Sequence, residues 1–566
     1  MKYKLISLAA ACGFAAAPAL AAPQHIAAAE PFEASVLTSG LNGPWDMVWG
    51  PDNFLWITER QGKSIARINP QTGERKELIT FENAFAAPPH EGVLGLALAP
   101  DFLKRGSRNY VYTAYTYKTG EQEYARIVRL QYDAKAGKLG NEQVIIDRLP
   151  ASHDHNAGRL RFGPDGKLYY TLGDQGRNQG SLYCQPIEAQ RTSTAAEIAK
   201  QDYSSYVGSS LRLNADGSIP RDNPVINGVK SHMFTYGHRN PQGLVFVGNR
   251  LYSSEQGPSS DDEINILEAG GNYGWPNVSG FRDNQGYVYA DYSAAPNCAG
   301  VKFDSNVIPA GVPTHKETEF SAPNYREPVK TFYTVNSQYN FTDPKCGQMA
   351  YLCWPTIAPA SIAYYPKNGK IEAWRNSLLV TSLKNGALYR VRLNEDGSIP
   401  PNTMLDWMNG REGEFVLING QYRPKIKLSG NERLRIWSAT SARYLRLKIK
   451  GVQWIVVGTD GGLLEKPLAP ADELFLAPAE RVEVFAVGQA QTTAELTSLY
   501  YDRRKMMVQE KAADLNLGEV QFTPADAALP AALRTLPALP APVVKREVVF
   551  SEQMKPWQNT QSQGGM

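Results

Sequence analysis

The sequence has little net charge and almost no long apolar run. Its 59 lysines and arginines nearly balance 56 aspartates and glutamates, which gives a formal net charge of +3 over 566 residues. A chain this close to neutral lacks the basic surface typical of nucleic-acid binding, so we predict no nucleic-acid partner. Beyond the N-terminus no apolar segment is long enough to cross a bilayer, which predicts that the mature chain has no membrane span.

The single apolar run lies at the N-terminus and has the features of a secretory signal peptide. Lysines precede the segment LISLAAACGFAAAPAL, and small residues suited to cleavage follow near Ala21 or Ala22. A membrane anchor is the alternative, disfavoured because the run is short and Pro18 interrupts it. We therefore predict a signal peptide over 1–22 and a soluble mature protein in the periplasm or the medium.

Cysteine is scarce, with five residues, of which one belongs to the predicted signal peptide. The other four allow three disulfide pairings. Cys346 and Cys353 enclose the short loop KCGQMAYLCW, which favours a bridge between them, with Cys184 and Cys298 as the second pair. A zinc site is the alternative, disfavoured because no close C-x-x-C pair and no neighbouring histidine are present.

A hairpin unit recurs along the first 400 residues. The segment VWGPDNFLWIT (48–58) matches RFGPDGKLYYT (161–171), each with two extended runs around a Gly-Pro-Asp turn. The segments LRLNADGSIP (211–220) and VRLNEDGSIP (391–400) are predicted to be outer strands that end in a polar turn. About five such units before residue 405 predict the blades of a β-propeller. A β-sandwich built from the same strands is the alternative.

Two histidines precede the second of these hairpins, in the segment ASHDHNAGRLRFGPDGKLYYTLGDQG. His153 and His155 are two residues apart, so both could point the same way from an extended segment. Asp174 lies at the far end of the hairpin and would return to the level of His155. A carboxylate on one imidazole nitrogen leaves the other free to take a proton, which is the arrangement of a general base. Metal ligands or ordinary surface residues are the alternatives.

Seven motifs in collinear order over about 33–400 resemble the soluble periplasmic quinoprotein glucose dehydrogenases, which use pyrroloquinoline quinone (PQQ) and calcium. They are HDHNAGRL, GDQGRNQ, YGHRNPQG, SEQGPSSDDEIN, GGNYGWPNV, CGQMAYLCWPT and SLKNG. The resemblance implies a six-bladed propeller over 33–405 with PQQ above the mouth of its channel. It also implies that an aldose, glucose as the first expectation, is oxidised at C1 to the lactone by hydride transfer to the quinone. The electron acceptor is unidentified, and a homodimer is a further expectation.

The resemblance also implies roles for individual residues. His155 would be the base, Asp174 would orient it, and Arg239 would stabilise charge on the quinone. The implied calcium ligands are the backbone carbonyls of Gly257 and Pro258. The implied cofactor contacts are His90, Arg239, Asn240, Gln256, Thr356 and Lys384. The implied substrate contacts are Asp154, Gln179, Tyr351 and Trp354.

One residue of this set departs from the family pattern. His90 stands where the family commonly has a glutamine, which is expected to alter the affinity for PQQ. Asp262 and Glu263 read as an acidic, solvated turn, in preference to a second calcium site. His153 is expected to be a bystander.

The sequence changes character after about residue 400. Residues 411–500 carry INGQ-x-x-P, SAR-Y-x-RL, DGG and LAPAERVEV in order and resemble the middle cupredoxin domain of a multicopper oxidase. Residues 520–566 form a Pro- and Ala-rich tail in which VVKREVVFSEQM resembles the start of a further cupredoxin domain. All histidines lie at or before His315 and the last cysteine is Cys353, so we predict no copper in this part and a structural role for it.

The fold expected for the whole chain is all-β: a propeller of the six-bladed type with an incomplete last blade, followed by a cupredoxin-like β-sandwich. In the quinoprotein family the chain continues into a close pair of PQQ-binding arginines and then completes the last blade, and this sequence does neither. Three functions follow as hypotheses. The first is a PQQ-dependent aldose dehydrogenase, the second is an inactive or non-catalytic propeller fusion that binds sugar or calcium, and the third, which is disfavoured, is a calcium-dependent hydrolase or lactonase.

Overall fold

The computed structural model describes residues 35–343, 346, 351–384, 386–399, 416–419, 421–440, 442–503, 512–526 and 528–536. The predicted signal peptide and the segment that resembles a further cupredoxin domain lie outside them. Nearly all regular structure in the described part is β-strand, and α1 is a single turn over Ala195–Ala199, which confirms the all-β prediction. No helix described here is long and apolar enough to cross a membrane. The chain divides into two compact units, one over 27–401 and one that includes 402–566.

The first two sheets are antiparallel, with four strands each, and strands that follow one another in sequence are paired. The first sheet contains β1 (Pro44–Trp49), β2 (Leu55–Glu59), β3 (Ser64–Ile68) and β4 (Arg75–Thr80). The second contains β5 (Val93–Leu98), β6 (Tyr110–Thr119), β7 (Gln122–Asp133) and β8 (Lys138–Pro150). This is the strand order of propeller blades.

The next three sheets repeat the pattern with longer connections. The third contains β9 (Leu160–Phe162), β10 (Leu168–Thr171), β11 (Ser209–Leu213) and, after a hairpin of β12 (Val225–Ile226) and β13 (Val229–Lys230), β14 (Met233–Tyr236). The fourth contains β15 (Pro241–Val247), β16 (Arg250–Glu255), β17 (Asp262–Leu267) and, after a hairpin of β18 (Tyr289–Ala290) and β19 (Thr314–His315), β20 (Lys330–Phe332). The fifth has three strands, β21 (Pro359–Tyr365), β22 (Ser377–Ser382) and β23 (Leu388–Arg392).

The repeated Gly-Pro-Asp turns have the same local chemistry in the first and third sheets. Asp52 accepts a hydrogen bond at Oδ1 from Nε1 of Trp56 (3.0 Å), across the turn between β1 and β2. Asp165 accepts one at Oδ2 from the hydroxyl of Tyr169 (2.9 Å), across the turn between β9 and β10. The aspartate thus caps its own turn and fixes an aromatic residue of the next strand. This confirms the hairpin repeat that the sequence predicts.

The inner strands of the five sheets pack side by side in chain order, from β1 through β5, β9 and β15 to β21. Six blades are implied by the resemblance, and the described residues form five, the last without a fourth strand. The difference has a direct origin in the chain, whose sequence departs from the propeller pattern after about residue 400. The predicted incomplete propeller is confirmed with one blade fewer.

A buried ion cluster ties the inner strands of the first three blades together. Asp46 of β1 contacts Nη1 of Arg159 (2.5 Å) and Nη1 of Arg161 (2.9 Å), and it accepts the N–H of Leu96 in β5 (3.0 Å). Burial alone would raise the pKa of Asp46, but the two guanidinium groups outweigh it and lower the pKa. Arg159 also donates from Nε to the carbonyl of Gln242 in β15 (2.8 Å). Through this hydrogen bond the cluster also contacts the fourth blade.

Both predicted disulfides are present. Cys184 and Cys298 are joined over a sequence separation of 114 residues, and Cys346 and Cys353 over 7. The first bridge lies beside an aromatic cluster in which Tyr183 and Tyr292 pack edge to face at 4.9 Å between ring centroids. The zinc alternative is thereby excluded for these four thiols.

The second unit contains a hairpin and one nine-stranded sheet that curls around its own apolar core. Leu445, Leu447 and Ile449 are buried, whereas the intervening Arg446 and Lys448 are partly exposed, as the alternation in sequence predicts. The strands are β24 (Leu417–Ile418), β25 (Gln421–Tyr422), β26 (Lys425–Ser429), β27 (Leu434–Trp437), β28 (Leu445–Ile449), β29 (Val452–Thr459), β30 (Gly462–Leu463), β31 (Leu474–Leu476), β32 (Arg481–Gly488), β33 (Gln491–Ser498) and β34 (Leu515–Thr523).

Candidate active site

The predicted contact between His155 and Asp174 is present and buried. His155 lies in the loop between β8 and β9 with a left-handed backbone (φ 48°), and Asp174 follows β10. Nδ1 of His155 is 2.6 Å from Oδ1 of Asp174. Asp174 also accepts from the N–H of Gly176 (2.9 Å) and from Nε1 of Trp275 (2.8 Å). Three groups therefore meet at one carboxylate, which fixes its orientation against the imidazole.

The neighbouring Gln179 determines which nitrogen of His155 carries the proton. Nη2 of Arg239 donates to Oε1 of Gln179 (3.0 Å), and an arginine can only donate, so the amide NH₂ of Gln179 faces the other way. That NH₂ lies 3.2 Å from Nε2 of His155, which must therefore be the accepting, unprotonated nitrogen. Nδ1 then carries the hydrogen and donates it to Asp174. The imidazole is held in the tautomer that a general base requires.

Arg239 lies at the centre of the site with part of its donor capacity unused. Its Nη1 donates to the carbonyl of Gln256 (3.2 Å), and its guanidinium lies 5.6 Å from the ring centroid of Trp275. The buried Nε has no hydrogen-bond partner among the described residues. Asn240 donates from Nδ2 to Oε1 of Gln256 (3.0 Å), so the three predicted cofactor residues form one connected group.

A buried group beneath Arg239 supports it and was not predicted from the sequence. Oε1 of Glu255 accepts the backbone N–H of Arg239, and Oε2 lies 2.8 Å from Nδ1 of His238. Nε2 of His238 is 2.8 Å from the hydroxyl of Thr235, and its ring stacks on Tyr273 at 4.7 Å. Glu255 and His238 lie inside the motifs SEQGPSSDDEIN and YGHRNPQG, next to residues that were assigned roles. That adjacency was the available signal.

Lys384, Thr356 and Trp354 form a second predicted group. Nζ of Lys384 donates to Oγ1 of Thr356 (2.9 Å) and to the carbonyl oxygen of Trp354. Burial lowers the pKa of the Lys384 ammonium, although the nearby carboxylate of Asp262 opposes this. Nε1 of Trp354 is buried without a partner among the described residues. A half-buried cation and a free indole N–H suit an anionic, planar ligand.

The acidic pair Asp262 and Glu263 does not form a solvated turn, and that interpretation was wrong. Both residues begin β17 and are buried, with relative exposures of 1% and 8%. Asp262 accepts the N–H groups of Gly257 (2.9 Å) and Ala358 (2.9 Å), and burial raises its pKa to about 6. Burial and the neighbouring Glu255 raise the pKa of Glu263. Asp262 thus fixes the loop that carries the predicted calcium ligands Gly257 and Pro258.

The carbonyl oxygens of Gly257 and Pro258 accept no hydrogen bond from the residues that the structure describes. Within that same part of the chain, no three histidine, cysteine, aspartate or glutamate side chains are grouped so as to hold a metal ion.

An aromatic cleft of about 860 Å³ opens beside these groups. Its wall includes the predicted residues Gln179, Pro258, Tyr351 and Trp354. Gln179 connects the cleft to the base, because its amide also contacts His155. Other aromatic lining residues are Tyr183, Trp275, Tyr287, Tyr289, Tyr292, Phe303, Tyr339 and Phe341.

His90 and Asp154 lie on the other side of the base. Nδ1 of His90 is 2.9 Å from Oδ1 of Asp154, and the rings of His90 and His155 stack at 6.2 Å. Burial would raise the pKa of Asp154, but the side-chain contact with His90 and the two nearby imidazoles lower it strongly. His153 contacts Oγ of Ser181 (3.4 Å) through its side chain and lines a separate cavity, in agreement with the expectation that it is a bystander.

The propeller and this histidine–carboxylate site together identify the class: the chain belongs to the glucose/sorbosone dehydrogenase family, whose model matches residues 41–329. It is similar to quinoprotein glucose dehydrogenase B of Acinetobacter calcoaceticus, with 47% identity over 380 residues, 65% of this chain and 79% of that protein. It is also similar to the aldose sugar dehydrogenase YliI of Escherichia coli K12, with 30% identity over 262 residues, 44% of this chain and 64% of that protein.

A further similarity is to a different class of protein. Multicopper oxidase LPR2 of Arabidopsis thaliana is 31% identical over 103 residues, which are 18% of this chain and 17% of that protein. This match confirms the predicted resemblance of the C-terminal part to a multicopper oxidase. The chain therefore joins segments related to two enzyme families.

Proposed function

We propose that the mature protein is exported and oxidises aldoses at C1 to the lactone, with PQQ as the hydride acceptor. The observation that carries this proposal is the tautomer of His155, whose unprotonated Nε2 is held beside an aromatic cleft by Asp174 and Gln179. Membership of the glucose/sorbosone dehydrogenase family supports the reaction type. The two disulfides support an oxidising compartment, the periplasm or the medium.

The residues present fit an anionic quinone cofactor. PQQ supplies, when bound, a quinone that accepts a hydride. Arg239 offers a buried Nε–H with no partner among the described residues, and Trp354 offers an indole N–H of the same kind. Lys384 supplies a cation with restricted hydration. The residues proposed to hold the cofactor are His90, Arg239, Asn240, Gln256, Thr356 and Lys384.

A calcium ion is proposed at the carbonyl oxygens of Gly257 and Pro258. Hard oxygen ligands are those that this ion prefers, and both carbonyls lack donors from the described residues. Asp262 keeps the loop in place through its bond to the N–H of Gly257. The buried carboxylate also provides negative charge close to the proposed cation.

The substrate is proposed to enter the aromatic cleft. Tyr351 and Trp354 would form an apolar wall for the sugar ring, and Asp154 and Gln179 would bind its hydroxyl groups. Nε2 of His155 would take the proton of the C1 hydroxyl. Asp174 would then stabilise the resulting imidazolium from the Nδ1 side, as the carboxylate of a catalytic triad does.

The organisation of the chain is part of the proposal. We assign 33–405 to the catalytic propeller, 411–500 to a cupredoxin-like domain without copper, and 520–566 to a tail that begins a further such domain. The role proposed for the C-terminal part is structural. The electron acceptor is proposed to be a separate molecule.

The test is a titration of the purified mature protein with PQQ in the presence of calcium, following glucose-dependent reduction of a dye. Saturable activity that is lost in His155→Ala is the expected result. Failure to bind PQQ would contradict the proposal and favour the non-catalytic fusion, since the described residues form five blades and the sequence lacks the paired arginines that the resemblance implies. Cleavage of a lactone without PQQ would instead indicate a hydrolase.

A further inference from the structure

The aromatic cleft is larger than one sugar ring needs. Its volume of about 860 Å³ lies in the upper part of the range for ligand pockets, about 300–1,000 Å³. The proposed sugar contacts in its wall are Gln179, Tyr351 and Trp354, and these leave most of the aromatic lining without a role. The rest of the cleft is therefore available to a second ligand.

A three-ring group in this lining lies beside the disulfide between Cys184 and Cys298. The ring of Tyr183 is 4.9 Å from that of Tyr292 and 5.6 Å from that of Phe303, between centroids. Cys298 packs against the small apolar cluster that contains Tyr292. Phe303 is nevertheless 50% exposed. An exposed aromatic side chain on a cross-linked base suits contact with a planar aromatic ligand.

Asn306 joins the three-ring group to the part of the cleft that lies next to the proposed cofactor. Its Oδ1 accepts the N–H of Phe341 (2.6 Å). The ring of Phe341 lies 6.5 Å from that of Trp354, whose carbonyl oxygen accepts a hydrogen bond from Lys384. Aromatic side chains thus continue along the cleft from the three-ring group to the residues proposed to hold PQQ.

The lining of the cleft carries few charges. Of the lining residues that the structure describes, the charged ones are Arg177, Asp304 and Lys316. Arg177 pairs with Glu188, and Asp304 accepts two backbone N–H groups of its own turn (2.8 and 3.0 Å). Lys316 is exposed to solvent. A neutral, planar and largely apolar molecule fits such a surface better than an ion does.

The proposed reaction needs a second substrate of this kind. An aldose that becomes a lactone gives up two electrons and two protons, which must leave the site before the next turnover. We propose that the cleft binds a neutral quinone as the electron acceptor, with its ring packed on Phe303. This inference rests on the proposed function, because only a redox turnover requires an acceptor. The quinone takes up the two electrons and two protons from the reduced cofactor and leaves as a hydroquinone, so atoms and electrons balance.

The first part of the test is binding of duroquinone to the cofactor-free protein, followed by calorimetry. This neutral probe has a fully substituted ring, so it does not add to amines. We expect Phe303→Ser to weaken binding about tenfold, since it removes an aromatic face. Val307→Ser, in the same wall, is expected to weaken it about threefold, and this variant serves if Phe303→Ser does not fold.

The matched control is Val225→Ser, because Val225 is an equally exposed valine of β12 outside the cleft. Its Kd for duroquinone is expected to equal that of the wild type. A wild-type protein that does not bind duroquinone, or cleft variants that bind it as tightly as Val225→Ser does, would overturn the proposal.

The second part uses the PQQ-loaded enzyme and compares duroquinone with ferricyanide, an inorganic anion that the cleft does not fit. We expect Phe303→Ser to raise the KM for duroquinone about tenfold. The rate with ferricyanide and kcat/KM for glucose, measured with ferricyanide, are expected to keep their wild-type values. An equal loss with both acceptors would show that Phe303 supports the sugar reaction instead, and would contradict the acceptor site.

Failure of the acceptor site and failure of the proposed function give different results. If the wild type oxidises glucose with ferricyanide but neither binds nor reduces duroquinone, the acceptor site is overturned and the proposed function stands. If the wild type oxidises glucose with neither acceptor, the proposed function fails, and the acceptor role fails with it even if duroquinone binds.

Discussion

Arg239 donates from Nη2 to Oε1 of Gln179 at 3.0 Å, and this contact sets the protonation of a third residue. Because Arg239 has no acceptor atom, Gln179 must present its NH₂ to His155, which leaves Nε2 of that ring without hydrogen. Arg239, which lies beside the proposed quinone, thus also sets the tautomer of the base His155. The side-chain amide of Gln179 therefore connects the residue beside the proposed quinone with the proposed base.

Replacing Gln179 by leucine tests this coupling. The variant removes the donor to Nε2 of His155 and the acceptor for Arg239, so we expect kcat to fall about tenfold or more. In ¹⁵N spectra, a fraction of His155 with hydrogen on Nε2 should appear. Gln185→Leu is the control, since Gln185 is exposed in the same loop. Equal kcat values in the two variants would contradict the argument.

Replacing Asp174 by asparagine tests whether the charge of this side chain, rather than its shape, supports His155. Asparagine retains the shape of the side chain but not its charge, so the imidazolium of His155 loses its main stabilising partner. We expect kcat to fall about 10³-fold with KM nearly unchanged, by analogy with triad carboxylates. Steady-state kinetics measures this, and near-UV circular dichroism confirms the fold. A change in KM alone would indicate that Asp174 binds substrate instead.

Glu91 should make stability depend on pH. Glu91 is 2% exposed, and burial together with the charge of Glu123 raises its pKa to about 7. The folded state therefore holds a proton that the unfolded state releases between about pH 4.5 and 7, so stability falls as pH rises through this window. At pH 8 we expect Glu91→Gln to exceed the wild type by about 2 kcal/mol in free energy of unfolding, and at pH 4 by little.

Denaturant unfolding at the two pH values measures this difference. Glu121→Gln is the matched control, because Glu121 is exposed at the turn between β6 and β7. A gain of the same size in the control, or a gain in Glu91→Gln that does not change with pH, would show that burial of Glu91 is not the cause.

The two disulfides should contribute unequally to stability. Cross-links over 114 and 7 residues restrict the unfolded chain by about 5 and about 2 kcal/mol in the loop-entropy model. Serine at both Cys184 and Cys298 is thus expected to cost more than serine at both Cys346 and Cys353. Denaturant unfolding of the two double variants gives the comparison. The reverse order would mean that local packing, rather than chain entropy, dominates.

The sequence predicts contacts well where one hairpin connects the partners. His155 and Asp174 are 19 residues apart at the two ends of such a unit, so turn chemistry alone brings them together. The bond from Trp275 to Asp174 spans 101 residues and depends on how separate blades are placed around the axis. Local patterns carry no information on that placement.

The wrong predictions from the sequence have the same origin, since they too depend on contacts between segments that are distant in the chain. Asp262 and Glu263 read as solvated because two adjacent acidic residues follow a Gly-Pro turn, yet β17 begins there and is covered by neighbouring loops. The contact of His90 with Asp154 joins residues 64 positions apart in the chain, which no local pattern predicts. The number of blades likewise depends on where the propeller sequence ends, which the repeat alone does not define.

The cluster around Asp46 has a consequence for how the sequence can diverge. A single carboxylate is shared by Arg159 and Arg161, which are more than 110 positions away in the chain. Loss of Asp46 by itself would leave a fully buried guanidinium without its counter-charge, a change that selection removes. Among descendants of this gene, these three positions are therefore expected to be substituted together or to stay unchanged.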